Sequence, residues 1–135
     1  DLKYNKNRCK FISGFAANDP SSTHMVWNLV NDRLSSGKSC IFLNTRNDRR
    51  YRTIQLVELV FNYLKPDLFI IRGDNINQIL TNYNSKESNV KVFDMGSTQE
   101  EIVNEIINLN DFYILGIGNI VDWGEKFVDK IKEYA

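Results

Sequence analysis

Short apolar runs alternate along the chain with longer stretches in which apolar residues recur at helical spacing. Five runs indicate strands, at residues 11–15, 40–43, 68–71, 90–93 and 112–115. The stretches between and after them predict helices over residues 21–34, 52–64, 75–80, 98–109 and 123–131. This alternation favours a mostly parallel sheet of about five strands with helices on both faces. The sequence therefore predicts an α/β fold, Rossmann-like and doubly wound, as a single domain over residues 1–135.

Capping residues and apolar faces refine the predicted helices. Ser21 or Ser22 is expected to cap the first helix, and Ser97 or Thr98, followed by two glutamates, offers a capping box to the fourth. The buried face of the first helix is expected to carry Met25, Val26, Leu29, Val30 and Leu34. The buried face of the second is expected to carry Ile54, Val57, Leu59, Val60, Phe61 and Leu64.

The balance of charged residues argues against nucleic acid as a partner. The 135 residues include 17 Lys and Arg and 17 Asp and Glu, so the formal net charge is zero. A neutral domain lacks a broad attraction for nucleic acid, and no nucleic-acid partner is expected. The chain has no run of about 18 apolar residues, so no membrane span is predicted. It starts at Asp1, without Met, close to the first strand, which indicates a fragment of a longer protein.

Cys9 and Cys40 are the only cysteines. A structural zinc site uses about four ligands, so two thiols without companion histidines do not indicate one. A disulfide is open, but a domain of this length does not need one. We interpret both cysteines as buried, reduced thiols.

Four polar loops are expected at the carboxyl ends of the strands, where open parallel sheets bind ligands. They cover residues 17–23, 44–50, 72–75 and 116–119. The second carries Arg46, Arg49 and Arg50 with Asp48 among them, and Arg52 follows. Such a cluster is either a solvated connector or a site for a carboxylate or phosphate, whose oxygens match the paired guanidinium donors. Cations oppose the dipole at a helix N-terminus by about 0.3–1 kcal/mol each, which favours the anion site.

Three other features do not indicate catalysis. Gly37-Lys38-Ser39 is similar to the end of a phosphate-binding P-loop, but Asp32 stands where that motif needs a glycine. A P-loop also follows a strand, whereas Gly37 follows a predicted helix. Gly116-Ile117-Gly118 lacks the third glycine of a dinucleotide fingerprint, and a tight turn explains it equally well. His24 is the single histidine and has no nucleophile beside it. The sequence therefore predicts no catalytic residue and no metal site on this chain.

Three stretches together resemble a known family. They are SGFAANDPSST at residues 13–23, NTRNDRRYRT at 44–53 and ILGIGN at 114–119. In this order they resemble the C-terminal domain of the Mur-type ATP-dependent amide ligases, and in particular the ligase subunit of bacterial poly-gamma-glutamate (capsule) synthase. Ala17 stands where peptidoglycan ligases have a histidine, and Ile117 and Asn119 depart from their Gly-Lys-Gly-His turn.

The resemblance implies a role in acid–amino-acid ligation. Family ligases hold ATP in a central P-loop domain, and a Rossmann-like C-terminal domain closes over it. ATP phosphorylates a carboxylate, and an amine attacks the acyl phosphate. The implied cofactors are ATP and Mg, bound mainly by a central domain absent from this chain. The implied partners are glutamate or poly-gamma-glutamate, that ATPase domain, and membrane subunits of the capsule synthase complex. The implied location is the cytoplasmic face of the membrane, reached through those subunits or through an N-terminal region outside this chain.

The resemblance also implies two sets of site residues. The first set would bind substrate and comprises Arg46, Asp48, Arg49, Arg52, Asp74 and Asn75. The second set would contact the nucleotide and comprises Asn18, Asp19, Ser21, Ser22, Gly116, Gly118 and Asn119. Small residues allow a ligand to approach the backbone, and the helix after Pro20 offers free N–H groups to phosphate or carboxylate. A proline-started helix with a serine cap is the simpler explanation of Pro20 and the serines.

Two other functions stay open at this stage. One is a ligand-binding or regulatory Rossmann-like module in a protein without catalysis. The other is a stand-alone nucleotide-using enzyme, for which the chain offers no phosphate loop. A P-loop in the sequence upstream of Asp1 would favour the ligase.

Overall fold

The computed structural model describes residues 2–4, 9–15, 17, 19–33, 37–83 and 89–134. The strands are β1 (Leu2–Tyr4), β2 (Cys9–Ser13), β3 (Lys38–Asn44), β4 (Leu68–Arg72), β5 (Val90–Phe93) and β6 (Phe112–Gly118). The helices are α1 (Pro20–Arg33), α2 (Arg50–Leu59), α3 (Ile76–Leu80), α4 (Gln99–Ile107) and α5 (Trp123–Lys132). A π-helical turn, Val60–Leu64, continues α2.

The strands form one sheet in the order β1-β2-β6-β3-β4-β5. Strands β2 to β6 are parallel, and β1 runs antiparallel against β2. The predicted doubly wound α/β fold with five parallel strands is therefore confirmed. The edge strand β1 was not predicted, because three residues are too few to show a strand pattern.

Helices cover both faces of the sheet, and the strand order determines which helix lies on which face. From β2 to β5 the chain advances across the sheet in one direction, so right-handed connections place α1, α2 and α3 on one face. The chain then returns to insert β6 between β2 and β3, which places the connecting helix α4 on the other face. Helix α5 follows β6 and packs on the same face as α4. The buried clusters agree: Trp27, Leu56 and Ile79 share the first core, whereas Ile102 and Phe127 belong to the second.

The apolar face predicted for α1 is partly wrong. Met25 and Leu29 are 66% and 57% exposed, whereas Thr23 and Trp27 are buried and Val26 and Val30 are half-buried. Positions four apart share a helix face, and Met25 lies about 200° around the helix from Thr23. The chain therefore turns Trp27 towards the sheet, where its ring lies 6.2 Å from that of Tyr113. Leu34 lies outside the described residues.

The start of α2 and the cap of α1 also differ from the predictions. Helix α2 begins at Arg50, two residues before the predicted start, and Ile54 on its surface is 39% exposed. The caps differ too, because Asp19, not Ser21 or Ser22, accepts a hydrogen bond from the Ser22 backbone N–H at 2.9 Å at the start of α1. At α4 the cap is Thr98, and the predicted capping box is present.

Cys9 and Cys40 are both buried and neither is in a disulfide, as predicted. Cys40 lies on the same side of the sheet as Phe42, within the second core. Among the described residues no helix has the length and apolar character needed to cross a bilayer.

Candidate functional site

The carboxyl ends of β3 and β6 form a topological switch point. The two strands pair directly, with Asn44 opposite Gly118 at their ends. After β3 the chain turns to α2 on one face of the sheet, and after β6 it turns to α5 on the other. Two loops that leave adjacent strands towards opposite faces open a crevice between them, which is the common ligand position in doubly wound sheets.

A cleft of about 190 Å³ occupies this switch point. One wall comes from the end of β3 and the start of α2, and the other comes from the turn after β6. The polar lining residues are Asn44, Thr45, Arg46, Arg49, Arg52, Thr53, Gly118 and Asn119, and the apolar ones are Leu43, Leu56, Ile120 and Val121. Three of the four arginines singled out in the sequence thus line one cleft.

The turn after β6 depends on Gly118. Its φ is +96°, a backbone conformation that side chains disfavour, and a Cβ there would collide with the carbonyl oxygen of Asn44. The turn is fixed by hydrogen bonds on both sides of Asn119. Its N–H donates to the Asn44 carbonyl at 2.8 Å, and its side-chain oxygen accepts from the Val121 N–H at 3.2 Å.

The arginines of the cleft differ in their partners. Arg46 donates from Nε and Nη2 to the two oxygens of Asp48, at 2.9 and 2.8 Å, and this pairing lowers the pKa of Asp48 below its usual range. In the described part of the chain, no hydrogen bond is formed by the Arg49 side chain. Arg52 lies near Asp19, whose pKa is lowered chiefly by hydrogen bonds from Ser22 and further by the charge of Arg52. The cleft therefore carries more positive than negative charge.

The start of α2 adds to this electrostatic character. Within the part of the chain that the structure describes, no side-chain hydrogen bond caps it, and its first turn holds no acidic residue. Uncapped N–H groups give a helix N-terminus a partial positive charge. Arginines in the same turn increase that charge, so the cleft is suited to an anion.

Asp74 and Asn75 lie outside the cleft lining. Arg50 donates from Nη1 to the Asp74 carbonyl and from Nη2 to the Asn75 carbonyl, the second at 2.9 Å. Arg50 therefore fixes the loop after β4 to the start of α2. The backbone of Asn75 is left-handed, with φ 50°.

The first loop presents its residues differently from the prediction. Asp19 caps α1 through Ser22, and Ser21 is exposed. Gly116 lies inside β6, where a Cβ would meet the rings of Phe11 and Phe15 at 2.7 Å, so its small size serves packing. Asn18 lies outside the described residues. Of the nucleotide set, Gly118 and Asn119 line the cleft.

Two buried polar residues near the cleft were absent from the predicted site. Arg72 ends β4 and is 5% exposed, and Asn44 ends β3 and is fully buried. Arg72 donates to the Asn44 side-chain oxygen at 2.8 Å and to the Met95 carbonyl at 2.7 Å. Its guanidinium carbon lies 4.0 Å from the centre of the Trp123 ring. The signal in the sequence was a polar residue directly after each of two apolar strands.

The burial of Arg72 is energetically costly. Its Nε has no hydrogen-bond partner among the described residues, and an unsatisfied buried donor costs about 1–3 kcal/mol. Burial lowers the pKa of the guanidinium, and the charge of Asp94 opposes this shift. Stacking on Trp123 and the two carbonyl-type acceptors offset part of the cost.

Within the described residues, no group of three or more His, Cys, Asp or Glu side chains is placed to hold a metal ion. The donor set at the cleft consists of guanidinium, amide and hydroxyl groups, which suit carboxylate or phosphate oxygens.

Comparisons with known proteins agree with the fold and give the family. The chain is similar to the capsule biosynthesis protein CapB of Bacillus anthracis, with 32% identity over 127 residues, 91% of this chain and 27% of that protein. It is similar to the PGA synthase CapB of Bacillus subtilis (strain 168), with 31% identity over 130 residues, 92% of this chain and 33% of that protein. The chain thus spans about a third or less of the length of these relatives.

A solved structure shares the fold. It is a domain assigned to a UDP-N-acetylmuramate:L-alanyl-gamma-D-glutamyl-meso-diaminopimelate ligase of Haemophilus ducreyi, with a TM-score of 0.63, 14% identity, and coverage of 100% of this chain and 98% of that one. The family model for the poly-gamma-glutamate synthase CapB C-terminal domain matches residues 1–134. This chain therefore belongs to the family of CapB C-terminal domains of poly-gamma-glutamate synthase.

Proposed function

We propose that this chain is the C-terminal, substrate-positioning domain of an ATP-dependent amide ligase that makes poly-gamma-glutamate. Membership of the CapB C-terminal family and the names of the two relatives support this proposal. The observation that carries the site assignment is the cleft at the β3–β6 switch point, where Arg46, Arg49 and Arg52 gather on a domain of zero net charge.

The ligand of the cleft is an anionic group of a substrate. Growing poly-gamma-glutamate requires the amine of one glutamate to attack an activated side-chain carboxyl of another. The incoming glutamate carries an α-carboxylate that must not react. A guanidinium holds such a carboxylate in a fixed orientation as well as neutralising it.

Arg49 is our candidate for the direct contact. Asp48 accepts both donors on one edge of Arg46, so Arg46 supplies charge but has part of its fork engaged. The Arg49 side chain forms no hydrogen bond to another described residue, and Arg49 lines the same cleft. Asp48 holds Arg46 in place, and Arg52 at the α2 start adds a third positive charge.

The chemistry to which these residues contribute is acyl transfer. ATP bound by the central domain would supply the phosphoryl group that activates a carboxylate. The acceptor amine would then attack the acyl carbon and lose a proton as inorganic phosphate leaves. The cleft residues bind and orient the acceptor amine against that carbon.

ATP and Mg belong, in this proposal, mainly to a central ATPase domain outside this chain. The printed sequence has no P-loop, and the described residues present no carboxylate cluster for Mg. Gly118 and Asn119, which line the cleft, are the proposed nucleotide contacts of this chain. Membrane subunits of the synthase complex are the proposed partners that bring the enzyme to the cytoplasmic face of the membrane.

Kinetics of arginine-to-lysine variants in the full-length enzyme test the proposal. Arg49→Lys keeps the positive charge but loses the paired N–H donors of the guanidinium. Loss of one charge-assisted hydrogen bond costs about 1.5–3 kcal/mol, so kcat/KM for glutamate should fall roughly 10- to 150-fold. Arg46→Lys should have a smaller effect, because lysine keeps the positive charge that Arg46 supplies to the cleft and Asp48 can still accept from one donor.

The control is Arg33→Lys at the last residue of α1, because this end of the helix leads to the amino end of β3, whereas the cleft lies at the carboxyl end of that strand. It should have parental kinetics. A rise in KM for ATP, with glutamate KM unchanged, would instead assign the cleft to the nucleotide phosphates. Parental constants in both cleft variants would show that the loop is a solvated connector.

A further inference from the structure

Arg72 connects three segments that lie around the floor of the cleft. It pairs in register with Asn44 of β3 and Phe93 of β5. Its side chain donates to Asn44 and to the Met95 carbonyl and stacks on Trp123 at the start of α5. Trp123 in turn stacks on Phe127, with ring centres 5.4 Å apart, so the guanidinium plane is fixed against the core.

These contacts set the orientation of the Asn44 amide. A guanidinium only donates hydrogen bonds, so the Asn44 oxygen must face Arg72. The Asn44 amide nitrogen then faces the other way and donates to the Asn119 carbonyl at 2.9 Å. With the Asn44 carbonyl accepting from the Asn119 N–H, Asn119 is held through two hydrogen bonds to one residue.

The held segment is one wall of the cleft. Gly118, Asn119, Ile120 and Val121 face the arginines across it. Gly124 in the first turn of α5 packs against this segment so closely that a Cβ would lie 2.6 Å from the Asn119 carbonyl oxygen. A shift of the Asn44 amide would therefore move the wall.

We propose that Arg72 is a positioning residue: through Asn44 and Asn119 it holds the turn after β6 in the place that lets the cleft grip its substrate. This inference rests on the proposed function of the cleft. Arg72 acts through the geometry of its donors, because a cation that served only as a charge would not need a stacked guanidinium with two directed hydrogen bonds. An apolar side chain would fill the same space without leaving Nε unsatisfied.

Hydrogen exchange tests the relay without reference to substrate. Arg72→Lys keeps the charge and loses the fork. Asn44→Asp keeps the acceptor that faces Arg72 but offers no donor to the Asn119 carbonyl. In both variants the Asn119 and Val121 amides should exchange about fivefold faster or more, as expected for one lost hydrogen bond. Asn44→Asp gives Arg72 a charged acceptor but sets a carboxylate oxygen against the Asn119 carbonyl, so its exchange is compared with that of the parent at a temperature where both are fully folded.

Two matched controls accompany these variants. Asn62→Asp makes the same charge change at an exposed position in the π-helical turn that continues α2, beyond the end of α2 that is remote from the cleft. Arg33→Lys makes the same arginine change at the end of α1, which leads to the amino end of β3. Both should keep parental exchange at Asn119. Parental exchange in Arg72→Lys overturns the inference.

Glutamate kinetics in the full-length enzyme supply the functional measurement, at a temperature where every variant is fully folded. Arg72→Lys should raise the KM for glutamate roughly fivefold or more with a smaller change in kcat. Faster exchange with parental KM overturns the inference. Arg49→Lys separates the two proposals: if it raises KM and Arg72→Lys does not, only the positioning role of Arg72 fails. If neither raises KM, the assignment of the cleft to glutamate fails and the positioning role fails with it.

Discussion

Replacing Gly118 by alanine should damage both the fold and the cleft. The φ of +96° is strained for an L-residue, which costs about 1–3 kcal/mol. The new methyl group would also collide with the Asn44 carbonyl and would lie 2.7 Å from a Leu43 methyl carbon, a contact of the overpacked kind that costs about 1–3 kcal/mol. Alanine also lowers the conformational entropy of the unfolded chain, which stabilises the folded state by about 0.4–1 kcal/mol. The net loss in the free energy of unfolding is therefore about 3 kcal/mol.

Urea unfolding of the purified chain measures this loss, and Gly96→Ala is the matched control. Gly96 has no positive φ, and a Cβ there would meet one atom, a carboxylate oxygen of Asp94, at 3.3 Å. We expect Gly96→Ala to stay within about 0.5 kcal/mol of the parent. Equal stability of the two variants, within that margin, would refute the described geometry of the turn after β6.

Three further predictions concern the thiols, the first helix cap and the isolated chain. Burial raises the pKa of both Cys9 and Cys40, so a thiol reagent should react slowly with the folded chain and with two groups after denaturation; rapid reaction when folded, or fewer than two groups, would contradict this. Hydrogen bonds from Ser22 hold the pKa of Asp19 below its usual value of 3.8, so this carboxylate stabilises the fold above that pH and ceases to do so as the pH falls through the lowered pKa. The Asp19→Ala chain should therefore unfold more easily than the parent near about pH 7, and this difference should shrink as the pH falls through the lowered pKa of Asp19; a difference that does not change with pH would rule the cap out. The isolated chain should fold but hydrolyse no ATP, because it lacks a P-loop; turnover above that of an Arg46→Lys, Arg49→Lys double variant would contradict the division of labour between domains.

The strands and the order of elements were predictable because the physical signal was strong. Runs such as residues 68–71 are apolar throughout, as expected when both faces of a strand are covered. The alternation of five such runs with helical stretches leaves few arrangements other than a doubly wound sheet. Strand β6 extends to Gly118 because Gly116 packs beneath two phenylalanine rings, and a glycine in isolation does not distinguish a turn from a packed strand.

The buried face of α1 was not predictable from spacing alone. Met25 and Leu29 are four apart, and so are Val26 and Val30, so two overlapping stripes fit a helix equally well. The choice between them depends on which stripe brings Trp27 to the sheet, and that contact with Tyr113 spans 86 positions of sequence.

In the candidate site too, features of local sequence were predictable, whereas contacts between distant residues were not. The arginine cluster was predicted from residue types, whereas the site role of Gly118 and Asn119 was implied by the family resemblance. The structure brings Arg46, Arg49, Arg52, Gly118 and Asn119 to one cleft. The roles of Arg72 and Asn44 were not predicted, because they depend on register between neighbouring strands. A shift of one residue would turn either side chain to the opposite face of the sheet.

The most direct test of the account is a thermodynamic cycle that removes the Arg49 side chain and the α-carboxylate of the acceptor, separately and together. The full-length enzyme and its Arg49→Ala variant are each assayed with glutamate and with 4-aminobutyrate, which keeps the amine and the terminal carboxylate but lacks the α-carboxylate. If Arg49 binds that carboxylate, Arg49→Ala should lower kcat/KM for glutamate by roughly 10- to 150-fold and leave that for 4-aminobutyrate unchanged. An equal loss with both acceptors would contradict the account, since Arg49 would then act on some group other than the α-carboxylate.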